Sequence, residues 1–188
     1  MEESSRALSP LAVAALALLV EGPMHPYEMY QEMLKRKDDR LVKVRPGSLY
    51  HTIDRLARHG MAEVAGTDRG GNRPERTTYR VTDEGRSALQ RRLTAMLRER
   101  AEEYPEFPLA LSQAHNLPAE EAVRLLETRI AAMRESLDAL GLSAQHVEAR
   151  DIPEKYWIEV GYQRAVLRAE LDWLEHLLER ITTGRLDW

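Results

Sequence analysis

The chain has 188 residues, 43% hydrophobic and 31% charged, which suits one ordinary domain plus a smaller companion and is too apolar for a disordered polypeptide. Cysteine is absent, which excludes disulfides and thiolate metal sites and fits a reducing compartment, so the cytoplasm is the expected location. The net charge of −4 conceals an asymmetry: residues 1–100 hold 18 Lys and Arg against 14 Asp and Glu, whereas residues 101–188 hold 9 against 17. Within the first part, Lys35 to Arg80 carries 12 basic and 6 acidic side chains, so a polyanionic partner would meet this stretch.

Ser9-Pro10 opens a first helix, serine as cap and proline in the first turn, and Gly22-Pro23 closes it. Its apolar run, Leu11 to Val20, is about half of the ~20 residues a membrane span requires. Glu2 and Glu3 against a lone Arg6 do not form a signal-peptide flank, so a buried helix and no membrane partner are expected. Pro26 starts a second helix, with Tyr27, Met29, Tyr30, Met33 and Leu34 at helical spacing and Lys35-Arg36-Lys37 at its C-terminus. Leu41 to Arg45 is β-branched and alternating, the pattern of a brief strand.

Pro46-Gly47-Ser48 begins a third helix with an apolar stripe of Leu49, Ile53 and Leu56 and a stop at Gly60. The face opposite that stripe reads Ser48, His51, Thr52, Arg55 and Arg58. Hydroxyls and imidazole can bond base edges, and arginine can grip guanine or phosphate; the plainer alternative is an ordinary solvated face. Met61 to Gly66 and Arg76 to Thr82 read as two strands of a hairpin, joined by a loop carrying Arg69, Gly70, Gly71, Asn72 and Arg73. The loop lacks the strand-to-helix setting of a nucleotide-binding turn. Thr82 then caps a long helix with Asp83 and Glu84 in its first turn.

Three helices, a hairpin and a long helix have the order of a winged helix-turn-helix. Three stretches, Met24 to Met29, Gly47-Ser48-Leu49-Tyr50-His51-Thr52-Ile53-Asp54-Arg55-Leu56 and Arg76 to Gly85, resemble the signature segments of PadR-family transcriptional regulators, over roughly residues 8–100. The resemblance implies a repressor that binds an inverted-repeat operator as a dimer, its third helix in the major groove and its wing on the flanking backbone. On this view the DNA-facing set is Lys43, Arg45, Ser48, Tyr50, His51, Thr52, Arg55, Arg69, Asn72, Arg73 and Arg76. Tyr50 is divided between packing and phosphate contact. The wing is longer and richer in arginine than in the plainest members.

The long helix from about Thr82 runs to about Arg100, where Tyr104-Pro105-Glu106-Phe107-Pro108 marks a boundary between a DNA-binding domain, residues 8–100, and a C-terminal helical domain, residues 104–183. Beyond it, Pro118 opens a helix that Gly141 is expected to end, with Val123, Leu126, Ile130, Met133 and Leu137 at coiled-coil spacing. A last helix from about Pro153 to Ile181 repeats the seam with Leu167, Leu171, Leu174, Leu178 and Ile181. Two such seams favour homodimerisation through coiled-coil-like helices; the alternative is an intramolecular pair packed on the first domain. Relatives accommodate aromatic or cationic small molecules near their dimer helices, so Phe107, Trp157 and Trp173 form a candidate effector pocket, with core packing as the plainer alternative.

The fold expected is thus mainly α, and the partners are double-stranded DNA, a second copy and a small-molecule effector. The six histidines show no metal-ligand spacing, and no catalytic motif is present, so neither a metal, a cofactor nor an enzymatic activity is expected. The competing function is a winged-helix module for protein contacts, or a regulator governed by a partner protein.

Overall fold

The computed structural model describes residues 8–68 and 76–188 and divides into two compact units between Glu102 and Glu103. In the first unit α1 (Pro10–Glu21), α2 (Pro26–Arg36) and α3 (Pro46–Arg58) precede an antiparallel hairpin, β1 (Ala62–Asp68) and β2 (Arg76–Val81), and α4 (Asp83–Arg98) closes it. The Ser9 hydroxyl accepts from the Ala12 N–H and caps α1 as its sequence implies. Leu16 and Leu19 of α1, Met29 and Met33 of α2, and Leu49, Ile53 and Leu56 of α3 fill one core, with Ala62 and Val81 from the base of the hairpin and Leu89 from α4. Helical spacing of the apolar residues places them on one face of each helix, and burying them is the main driving force for the unit.

The hairpin register runs from Ala62↔Val81 at the core to Asp68↔Arg76 at the outer end, with a bulge between Val64 and Gly66. Its strands therefore extend further than the sequence pattern indicates, to Asp68 rather than Gly66. Met24 adds a single bridge to Tyr79, its N–H donating to the Tyr79 carbonyl and its carbonyl accepting in return. Leu41 to Arg45 is not a strand. A short 3₁₀ turn, Asp38–Arg40, precedes it, and the Leu41 and Val42 N–H groups both donate to the Asp38 carbonyl instead of to a neighbouring strand. The alternation survives without a ladder: Val42 and Val44 pack against the core, while Lys43 and Arg45 are exposed.

The second unit contains α5 (Glu106–Gln113), α6 (Ala119–Glu148) and α7 (Ile158–Thr182). The Tyr104 to Pro108 segment is not wholly a break, because α5 starts at Glu106 and tolerates Pro108 in its first turn, where the missing N–H has no intrahelical acceptor. Gly141 does not end α6, which continues to Glu148. A mid-helix glycine costs only about 1 kcal/mol relative to alanine, and burial of Leu140 and Ala144 on either side of it carries the helix through. Pro153 introduces a 3₁₀ turn, Glu154–Tyr156, so α7 begins at Ile158.

The seam residues pack between α6 and α7 within the chain. Leu126, Ile130, Met133, Leu171, Leu174 and Ile181 form the buried interior between α6 and α7, with Val123, Leu137, Leu167 and Leu178 packed around it. Arg129 pairs with Glu170 at 2.7 Å and Arg134 with Glu175 at 2.6 Å, and the Trp188 indole N–H donates to the Leu117 carbonyl at 2.8 Å. Coiled-coil spacing specifies that a helix has a helical partner, not whether that partner belongs to the same chain. Among the described residues no helix is long and apolar enough to cross a membrane.

Candidate nucleic-acid interface

With about 100° of rotation per residue, burying Leu49, Thr52, Ile53 and Leu56 turns Gly47, His51, Asp54 and Arg58 of α3 outward. Ser48 and Arg55 flank this stripe on one side and Tyr50 on the other, and all three are exposed. Thr52 is a correction to the expected face. It lies one turn from both Ser48 and Leu56, is 6% exposed, and its hydroxyl donates to the Ser48 carbonyl at 2.8 Å. A hydroxyl so buried and so occupied serves the helix and not a base edge.

Arg55 reaches toward α1, where its guanidinium donates to the Ser9 hydroxyl at a long 3.4 Å. Asp54 stands on the outward stripe, although a charge-based search for a DNA-reading face passes over an acid. Its carboxylate accepts from the Tyr79 hydroxyl, and burial together with that carboxylate pushes the Tyr79 pKa up. Tyr79 therefore ties three elements together, α3 through its side chain and the Met24 bridge ahead of α2 through its backbone. The wing is thereby registered against the third helix.

Lys43 and Arg45 are exposed immediately before α3, and Arg76 is exposed at the outer end of the hairpin. Arg80, by contrast, is engaged by Glu63 across the strands at 2.7 Å. Arg69, Asn72 and Arg73 of the wing tip lie outside the described residues. Positive side chains thus border the α3 stripe before its N-terminus and on the hairpin, an arrangement suited to phosphates on either side of a groove.

His25 belongs to the same region and was not expected there. It is the N-cap of α2: Nδ1 accepts from the Tyr27 N–H at 3.1 Å, and Glu28 accepts from the His25 N–H at 3.1 Å, forming a reciprocal capping box. Its ring stands edge-on to Tyr50 of α3, with centroids 6.0 Å apart and an interplanar angle of 77°. Burial, with Arg76 as a further cause and Glu28 opposing, holds its pKa below the ordinary imidazole value. Proline at position 26 with glutamate at position 28 was the legible signal for a capped helix start, but histidine is an unusual cap.

In the second unit the three aromatics of the expected effector trio have different surroundings. Phe107 lies beneath the Arg129 guanidinium at 3.5 Å, within the α6–α7 cluster. Trp157 precedes α7 and is tied by its indole N–H to the Ile152 carbonyl at 2.9 Å, whereas Trp173 is 51% exposed. Of the three, only Phe107 packs within the α6–α7 interior. The groove between α6 and α7 is bordered by Glu127, Arg134, Glu175 and Glu179 with Ile130 and Leu178, and none of the three aromatics lines it. Among the described residues no group of three or more His, Cys, Asp or Glu side chains is placed to hold a metal ion.

Residues 15–91 match the sequence profile of the transcriptional regulator PadR-like family. The structure resembles Bacillus subtilis PadR in complex with operator DNA, with a TM-score of 0.76 and 20% identity over 92% of this chain and 99% of that one. It resembles the same Bacillus protein in complex with p-coumaric acid, with a TM-score of 0.75 and 19% identity over 92% of this chain and 98% of that one. The Vibrio cholerae virulence activator AphA aligns with a TM-score of 0.66 and 14% identity over 93% of this chain and 99% of that one. These likenesses establish the fold across both units. No curated protein sequence matches the chain.

Proposed function

We propose, from the match of residues 15–91 to the PadR-like family profile, that the chain is a PadR-like transcriptional regulator, a repressor that grips an inverted-repeat operator as a homodimer. The observation that carries this reading is the outward stripe of α3, with His51 and Arg58 on it, bordered by Lys43, Arg45 and Arg76. His51 and Ser48 read base edges, Arg58 and Arg55 take guanine or the adjoining phosphate, and Lys43, Arg45, Tyr50 and Arg76 fix the register on the backbone. The wing-tip residues Arg69, Asn72 and Arg73 add flanking contacts.

Pairing is supported by apolar side chains left exposed on the outside of the α6–α7 hairpin: Leu125, Leu142, Tyr162, Val166 and Trp173. A second copy pairs through this outer surface, since the inner faces of α6 and α7 pack on each other. An aromatic or cationic effector acting through the second unit releases the operator. Support for such an effector comes from the Bacillus relative solved with p-coumaric acid.

Selection of bound sequences from a random duplex pool tests the reading. The expected winner is an inverted repeat with half-sites about one helical turn, ~10 base pairs, apart. Enrichment of an asymmetric single site, or of none, would overturn the dimeric operator reading.

A further inference from the structure

We propose that His25 is a positioning residue for operator binding, required in its neutral form, so that acid weakens the grip of the protein on its operator. The inference rests on the DNA-binding reading above and adds a form of regulation to it. Because Nδ1 accepts from the Tyr27 N–H, the neutral ring carries its proton on Nε2. Protonating Nδ1 turns the acceptor into a donor aimed at another N–H. The cap of α2 is lost, and a cation is left at the positive end of the helix dipole.

The charged and titratable groups facing the ring are Glu28 on α2, Tyr50 on α3 and Arg76 on β2. Only Glu28 favours the imidazolium, and it is already engaged by the His25 N–H. Arg76 and burial both favour the neutral ring, in keeping with the geometry. When the cap opens, the edge-on contact with Tyr50 opens with it, and Tyr50 borders the outward stripe of α3. His25 therefore connects the protonation state of one ring to the placement of a DNA-facing side chain.

The sign of the effect makes it distinguishable. Positive charge gained beside DNA strengthens binding as pH falls, whereas His25 acts in the opposite direction. His25→Asn supplies a side chain that caps helices well and does not titrate. Operator affinity of the full chain and of this variant is to be measured from about pH 8 to about pH 5, well past the ordinary imidazole value of about 6.5, because burial lowers that of His25. The ratio of wild-type to variant affinity is expected to fall on the order of tenfold toward acid, below the roughly thirtyfold limit that one lost cap in each protomer sets.

A ratio that stays flat across the range overturns the proposal while leaving sequence-selective binding, and hence the DNA-binding reading, intact. Absence of selective binding by wild-type protein at every pH removes that reading and the proposal together. A DNA-free measurement on wild-type protein guards against a variant that folds poorly. The Tyr27 amide resonance and the Tyr50 ring resonances must titrate together with the His25 imidazole, and a Tyr27 amide that stays still while the ring titrates also overturns the proposal.

Discussion

Replacing Gly85 by alanine perturbs the wing at its root without touching any DNA-facing side chain. Gly85 lies in the first turn of α4, and its N–H donates to the Thr82 hydroxyl at 3.1 Å. A Cβ at this position would overlap the Met61 carbonyl oxygen and approach the Met61 carbonyl carbon and the Val81 Cγ2 to 2.9 Å each. Met61 cannot readily yield, since its N–H donates to the Leu56 carbonyl at 2.9 Å and its carbonyl accepts from the Thr82 N–H at 3.2 Å. Alanine would ordinarily gain about 1 kcal/mol over glycine in a helix. Overpacking costs about 1–3 kcal/mol, and loss of the Thr82–Met61 bond costs about 1 kcal/mol more.

The net expectation is a destabilisation of about 2 kcal/mol, which lowers the melting temperature of a unit this size by roughly 10 °C. Displacing the start of α4 also moves Thr82, whose hydroxyl donates to the Gly60 carbonyl at 2.6 Å, and with it the exit of the hairpin. Operator affinity should therefore fall even at temperatures where the variant is folded. All three tryptophans, Trp157, Trp173 and Trp188, lie in the second unit, so their emission follows that unit while calorimetry follows both. The expected result is one depressed transition and an unchanged tryptophan-reported one. A first unit that melts at the wild-type temperature or higher would refute the close-approach argument.

Two further pairs of substitutions separate the roles assigned to individual residues. His51→Ala is expected to reduce discrimination between operator and random DNA by about 1–3 kcal/mol, whereas Lys43→Ala weakens both nearly equally and lowers the salt slope by about one; titrations on both duplexes at several salt concentrations measure this. Leu174 is fully buried and its neighbour Trp173 is half-exposed. Accordingly, Leu174→Glu should melt the α6–α7 hairpin, while Trp173→Glu should keep the helix content of the wild type and yield a monomer by solution mass. An unchanged dimer mass would remove Trp173 from the pairing surface.

Local chemistry made much of the first unit legible. Ser9-Pro10, Pro26, Pro46-Gly47 and Thr82 mark helix starts through capping and the fixed φ of proline, rules that act within one turn. What escaped depends on contacts distant in sequence. Leu41 to Arg45 has the alternation of a strand but no neighbouring edge, and Thr52 shares a helix with exposed residues yet turns inward by one step of rotation. Gly141 looks like a stop until the burial of Leu140 and Ala144 is taken into account. The α6 and α7 seams were visible, but whether they face each other or a second chain is a tertiary question that heptad spacing leaves open. His25 escaped for a different reason: its capping bond is local, but its proximity to Tyr50 and Arg76 arises only when α2, α3 and the hairpin assemble.

The central claim is that the α3 stripe and its bordering cations bind DNA by sequence. The most direct measurement is a mobility shift of the purified chain on the DNA upstream of its own gene, beside random DNA of equal length, at about 50 and 200 mM salt. Lys43, Arg45 and Arg76 on each of two protomers would displace counterions from about six phosphates, so affinity should fall by roughly 10³-fold between those concentrations, with the upstream DNA preferred at both. Binding that ignores salt, or that treats the two duplexes alike, would contradict the account.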